Sequence, residues 1–143
     1  MTQTIYPVED YLAHRGRMKL LDAVVDVDAQ NAVARSVTTE AWPLFEGGAI
    51  RSIVIVELVA QTAGINIRWE EMQESGGREK EGGGLLVGIK EAVFHVSRIP
   101  VNAIVITIAK RRHAHMNYAE YHGFSKIGED ILGEVTIQVF RTD

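Results

Sequence analysis

Glu57, Gln61 and Arg68 are the residues whose types and spacing could support chemistry. They lie in a long apolar stretch from Ser52 to Met72, which is too long for a buried strand and therefore predicts a helix. On a helix the three polar side chains fall on one narrow seam, with Gly64 between them. A carboxylate among apolar side chains must be paired, hydrogen-bonded or protonated. We therefore expect a buried Glu57 that either takes part in catalysis or forms a structural ion pair with Arg68 or a partner subunit.

The bulk composition excludes several function classes. The 143 residues suffice for one domain with a hydrophobic core, and the net charge of −4 argues against general nucleic-acid binding. The absence of cysteine excludes disulfides, thiolate zinc sites and cysteine nucleophiles, and it fits the cytoplasmic location that we expect. The N-terminal residues do not have the pattern of a signal peptide, and the polar residues of the apolar stretch argue against a membrane span.

The sequence predicts strands on both sides of this helix along the chain. Two strands precede it as a hairpin, and a loop with a Gly47-Gly48 pair leads to Ser52, which we expect to be the N-cap. Residues 73–84 are rich in glycine and charge and predict a flexible insertion. The six predicted strands are Met18–Asp28, Ala32–Thr39, Leu85–Ser97 (with a bulge near Lys90-Glu91), Asn102–Lys110, His115–Phe124 and Ile131–Phe140.

This order predicts an α+β fold in a single domain over residues 1–143. An antiparallel sheet curled around one long hydrophobic helix is the hotdog architecture. A single unit of this kind leaves the helix and one sheet edge partly uncovered, so we expect a dimer.

Metal and cofactor chemistry has little support in the sequence. His113 and His115 share a strand face and could hold a metal ion, but without a third ligand a solvated strand end is the simpler interpretation. No phosphate-binding loop, nucleotide fingerprint or hydrolase triad pattern occurs. We therefore expect neither a metal nor a cofactor.

Several segments resemble a known family in order and spacing over nearly the whole chain. The chain is similar to the hotdog-fold 3-hydroxyacyl-acyl-carrier-protein dehydratases, and within them to the branch associated with aryl-polyene biosynthesis. The segments that carry the resemblance are His14-Arg15 with Met18–Asp22, Phe45–Gly48, Glu57–Thr62, Leu86–Gly88 and Val139-Phe140.

The resemblance implies a thioester-bound acyl chain in a tunnel beside the helix. Glu57 matches the family's helix carboxylate, Gln61 the residue that helps to hold the helix and site, and Gly48 and Gly88 fall in matching segments expected to bind substrate. The chain departs from the family in two respects. The loop before the helix lacks the family's catalytic histidine, and Ser52 replaces the glycine whose N–H binds the thioester carbonyl.

Removing water from a 3-hydroxyacyl thioester requires a base, an acid and donors for the thioester oxygen. Glu57 suits the acid, and the helix start at Ser52-Ile53 can supply backbone N–H groups and the helix dipole. His14 is the candidate base, because it matches the histidine of the family's His-Arg segment and can accept a proton near neutral pH. The alternative is that His14 is an ordinary loop residue.

The expected partner is an acyl carrier protein or a coenzyme A thioester. Lys110, Arg111 and Arg112, together with Arg98, could attract an acidic carrier or its phosphopantetheine phosphate. They could equally be a charged hairpin end. The subunit partner is either a second copy or a second hotdog subunit.

Three functions remain open from the sequence. The first is a 3-hydroxyacyl-thioester dehydratase, which the Glu57–Gln61 segment favours. The second is an acyl thioesterase of the same fold, in which one helix carboxylate activates water. The third is a non-catalytic subunit that binds an acyl carrier beside an active partner, which the missing loop histidine favours.

Overall fold

The computed structural model describes residues 19–74, 76 and 85–141. His14 lies outside the described residues, as does most of the predicted insertion. The described residues form nine strands and one helix, which are, in chain order, β1 (Ala23–Val27), β2 (Asn31–Val37), β3 (Phe45–Glu46), β4 (Ala49–Arg51), α1 (Val54–Glu74), β5 (Leu85–Phe94), β6 (Arg98–Pro100), β7 (Ile104–His115), β8 (Tyr118–Ile127) and β9 (Asp130–Arg141).

The long central helix is confirmed, with both ends shifted toward the C-terminus. α1 begins two residues after Ser52 and runs through Glu74, two residues into the segment predicted as an insertion. The expectation that the Ser52 side chain caps the helix is wrong, because its hydroxyl donates to the Val96 carbonyl at 2.6 Å. An N-cap hydroxyl would instead accept from the helix's own N–H groups.

The principal sheet has six antiparallel strands in the order β1-β2-β7-β8-β9-β5. The predicted bulge in β5 is present, between Ile89 and Glu91. The first predicted strand is shorter than expected, since only Ala23–Val27 of Met18–Asp28 pairs. The segment predicted as a loop before the helix contains the β3–β4 hairpin, which joins β6 in a separate three-stranded sheet.

The core lies between α1 and the inner face of the large sheet. The closest approach is at Gly123 of β8, where an added Cβ would lie 2.6 Å from Val59 Cγ1 and 2.9 Å from the Ile108 carbonyl oxygen. The helix can pack this closely because glycine has no side chain there. The predicted hotdog architecture, an antiparallel sheet around one helix, is confirmed. Among the described residues, no helix combines the length and hydropathy needed to cross a membrane.

Candidate functional site

Glu57 lies on the side of α1 that the single chain leaves partly open. Its side chain is half-buried, as are Val56, Ala60 and Gly64 on the same side. The expectation of a buried carboxylate is therefore met only in part by the single chain. Arg68 does not serve as its partner, since the ion pair that Arg68 makes is with Glu71, at 3.7 Å.

Gln61 holds the carboxylate of Glu57 through a fully buried amide. Its Nε2 donates to Glu57 Oε1 at 3.0 Å, and its Oε1 accepts the backbone N–H of Leu20 at 3.1 Å. A backbone N–H can only donate, so the Leu20 contact requires Oε1 on that side and leaves Nε2 to face Glu57. Gln61 is 3% exposed, and both polar ends of its amide are engaged in hydrogen bonds.

The Leu20 bond also brings the first described residues of the chain to the site. Leu20 follows shortly after His14 in the sequence and is bonded one helical turn from Glu57. The described part of the chain therefore begins beside Gln61, one helical turn from Glu57.

The start of α1 supplies backbone donors, but Ser52 is not among them. The Ser52 N–H donates to the Ser97 carbonyl at 3.2 Å, so Ser52 cannot replace the family's glycine as a thioester donor. Among the described residues, no hydrogen bond engages the N–H groups of Ile53 and Val54. These two donors lie at the N-terminus of α1, which is the positive end of the helix dipole. The sequence predicted Ile53 as a donor but not Val54.

The Gly47-Gly48 pair forms the two-residue turn between β3 and β4. Both glycines have positive φ angles, +60° and +86°, which is the geometry that a tight hairpin turn requires. The Arg98 guanidinium donates to the Glu46 carbonyl at 3.1 Å, and Arg98 is the cross-strand partner of Arg51. Gly48 and Arg98 are thus brought together near the helix start.

The other predicted residues lie elsewhere. Gly88 is on the edge strand β5, opposite Gln138 of β9. Arg111 pairs with Glu70 on the inner face, and Glu70 lies about 20 Å along the helix from Glu57. Lys110 and Arg112 flank Arg111 on β7 and so share its end of the molecule. The four basic residues therefore form two separate groups instead of one patch.

The segment with His113 and His115 forms no metal centre in the described part of the chain. His113 and His115 are exposed near the end of β7. Within residues 19–74, 76 and 85–141, no group of three His, Cys, Asp or Glu side chains is arranged to hold a metal ion. Two cavities that these residues form, one near Glu70 and one on the outer sheet face, are not lined by Glu57.

The comparisons with known proteins agree with this fold. The family model described as ApeP-like, ApeP dehydratase, matches residues 6–143. No curated protein matches the chain.

Solved structures show the same architecture at low sequence identity. The dehydratase heterocomplex ApeI:P from Xenorhabdus doucetiae is similar with a TM-score of 0.83 and 18% identity, covering 96% of this chain and 92% of that one. An HP0420 homologue from Helicobacter felis has a TM-score of 0.71 and 11% identity, covering 96% and 90%. A putative esterase, Rv1847/MT1895 from Mycobacterium tuberculosis, has a TM-score of 0.63 and 14% identity, covering 86% and 91%.

The structural similarities show the hotdog fold, and the family match extends over nearly all of the sequence, including the Glu57–Gln61 pair. The chain belongs to the ApeP-like dehydratase family.

Proposed function

We propose that this protein is a subunit of a 3-hydroxyacyl-thioester dehydratase and that Glu57 is its general acid. The observation that carries the proposal is the Gln61 amide on Glu57 Oε1 in a member of a dehydratase family. In a protonated carboxyl group the carbonyl oxygen accepts and the hydroxyl donates. In the acid form that the proposal requires, Oε1 accepts from Gln61 and Oε2 carries the proton that is given to the departing β-hydroxyl group.

In the proposed reaction a base removes the α-proton of the 3-hydroxyacyl thioester, and the electrons move into the thioester carbonyl. The Ile53 and Val54 N–H groups stabilise the resulting oxyanion, since they lie at the positive end of α1. The enolate then re-forms the carbonyl, the α–β double bond forms, and the β-hydroxyl leaves as water with the Glu57 proton. The products are an enoyl thioester and water.

His14 is the base in this proposal. The contact that supports this assignment is made by Leu20, whose N–H donates to Gln61 Oε1. That bond is one helical turn from Glu57, and Leu20 is the sixth residue after His14 in the sequence.

We further propose that the carrier's phosphopantetheine phosphate docks near Arg98. Arg98 and Arg51 are exposed cross-strand partners just before the helix start, where a bound thioester would meet the Ile53 N–H. Arg111 has no part in the docking proposal, because Glu70 engages its guanidinium at the far end of the helix.

The proposed subunit partner is a second hotdog subunit, paired along β5. The dehydratase heterocomplex among the similar structures supports a partner of this kind. β5 is an edge strand, and Val87 and Ile89 lie opposite the buried Val139 and Ile137. They therefore face the helix side, yet both are exposed. A second sheet continuing from this edge would cover them and the open side of α1.

Two equally exposed isoleucines allow a controlled test of that edge. Ile89 and Ile104 are each 57% exposed, but Ile104 lies on the interior strand β7. We expect Ile89→Lys to abolish a 1:1 complex with a second hotdog dehydratase subunit in native mass spectrometry, and Ile104→Lys to retain it. Complex formation by both variants would contradict pairing along β5.

The activity is tested with 3-hydroxyacyl and saturated acyl thioesters of an acyl carrier protein, with the partner subunit present. Enoyl product supports the proposal, whereas free thiol indicates a thioesterase. Carrier binding without either product indicates a non-catalytic subunit. Glu57→Gln should lower turnover by about 100-fold or more and His14→Ala should also lower it, with unchanged circular dichroism. Glu71→Gln is the control from the same helix, since Glu71 pairs with Arg68, and it should retain activity.

A further inference from the structure

The outer face of the sheet carries one carboxylate held between two imidazoles. Glu134 of β9 is 3.2 Å from His95 Nε2 through Oε2 and 3.5 Å from His122 Nε2 through Oε1. The other ring nitrogen of His122, Nδ1, is 2.9 Å from the Thr136 hydroxyl. The hydrogen bond from His95 is the main cause that lowers the pKa of Glu134 below its ordinary value. We name His95, His122 and Glu134 the histidine clamp.

The clamp joins the segment that holds the start of α1. The backbone N–H of His95 donates to the Leu132 carbonyl at 2.9 Å, and its side chain contacts Glu134. Both the backbone and the side chain of His95 are therefore bound to β9. The next two residues, Val96 and Ser97, accept the hydroxyl and the N–H of Ser52. The sequence of contacts therefore runs from Glu134 through His95 to Ser52.

A second contact ties the same part of β9 to the helix. Gly133 lies against Ile55 in the first turn of α1 and against Phe94, and an added Cβ would be 3.0 Å from Ile55 Cδ1. Residues 132–134 thus support the first turn of α1 directly and through the residue 95–97 segment. Glu57 is the acidic residue of that first turn.

We propose that the histidine clamp is a pH-dependent positioning device for the first turn of α1, and that it tightens as its imidazoles become protonated. Its role for Glu57 rests on the function proposed above, but its effect on the helix start does not. A charge-assisted hydrogen bond is about twice as strong as a neutral one, and histidine side chains ordinarily protonate near about pH 6.5. The other charged groups beside the clamp are Glu91 of β5 and Arg112 of β7, which line the adjoining cavity of about 150 Å³, and Lys110 of β7, which is the cross-strand partner of His122.

The direct test is amide hydrogen exchange of the full chain, measured at about pH 6 and about pH 8 and corrected for intrinsic exchange. In the wild type, we expect peptides covering residues 52–57 and 95–97 to be about two- to fivefold better protected at the lower pH, the range for a partly exposed ion pair. His95→Gln and Glu134→Gln should remove this rise. Both positions are substantially exposed, at 46% and 40% for the side chains, so the variants should fold.

Glu120→Gln is the control from the same face of the sheet, at a carboxylate whose side chain is 5% exposed. Glu120 also lies on the outer face and pairs with Lys90 Nζ at 3.0 Å, but that pair makes no contact with the residue 95–97 segment among the described hydrogen bonds. This variant should keep the rise in protection. The proposal is overturned if the rise persists in Glu134→Gln or disappears equally in Glu120→Gln.

An activity measurement distinguishes this inference from the proposed function. If the chain is an active dehydratase subunit, His95→Gln should lower kcat with little change in KM and alter the pH profile of kcat, whereas Glu120→Gln should not. An inactive chain would refute the dehydratase proposal while the exchange result still decides the role of the clamp. A wild-type pH profile for His95→Gln in an active enzyme would refute a role of the clamp in positioning Glu57.

Discussion

Replacing Gln61 by methionine separates the two tasks of its buried amide. Methionine has a similar length and no strong hydrogen-bonding group, so packing is preserved while both bonds are lost. The Leu20 N–H would then be buried without its acceptor, because Leu20 itself is fully buried. That loss costs about 1–3 kcal/mol. For a chain of this size the melting temperature should fall by about 3–9 °C.

The second lost bond affects Glu57. The carboxyl is half-buried, so water can replace the Gln61 donor and the stability cost is small. The position of the carboxyl, however, is no longer fixed. A hydrogen bond of this kind contributes about 0.5–1.5 kcal/mol, which corresponds to a loss in turnover of about two- to tenfold.

Thermal unfolding at a fixed protein concentration and an enoyl-forming assay measure the two effects separately. Thr62→Val is the control, because the Thr62 hydroxyl donates to the Leu58 carbonyl at 2.7 Å and its removal leaves no buried N–H without an acceptor. Its stability should stay within about 0.5 kcal/mol of the wild type. If Gln61→Met melts at the wild-type temperature with full turnover, the positioning role assigned to Gln61 is wrong.

Three further changes test the fold. Gly123→Ala should cost about 1–3 kcal/mol in urea unfolding, because the new methyl would overlap Val59 and a fixed backbone oxygen. Tyr121→Phe should cost about 1–3 kcal/mol by the same measurement, because Asn66 Oδ1 loses its donor in the core. The backbone N–H groups of the first hairpin lower the pKa of Asp28, so its carboxylate stabilises the folded state above about pH 4 and less as the pH falls. The stability deficit of Asp28→Ala should therefore shrink in acid, as a pH series of urea midpoints would reveal.

The fold was predictable because its strongest signals are local. A long apolar run with one polar seam predicts a central helix, and alternation in the last strand predicts a sheet with one solvated face. The role of Ser52 was not predictable, because its hydroxyl is used in a contact with Val96, far away in the sequence. A serine before an apolar helix has the same local pattern whether it caps the helix or bonds elsewhere.

The β3–β4 hairpin was missed although a signal for it exists. Two glycines between short apolar segments are typical of a two-residue hairpin turn, but strands of two and three residues show no alternation. The division of the basic residues was also hidden in the sequence. Arg98 and Lys110 are close in the chain, yet about half of the extended strand β7 lies between them.

The bulge in β5 has a consequence for whatever strand lies beside it. Before the bulge Ile89 is opposite Ile137, and after it Glu91 is opposite Thr136, with Lys90 as the extra residue. A straight neighbour could follow the edge only over the portion before Lys90, since beyond that residue its side chains would point to the wrong faces. The bulge therefore limits how many residues of a neighbouring strand can pair with β5, and it fixes the register of that pairing. It also discourages the unlimited strand pairing that leads to fibres.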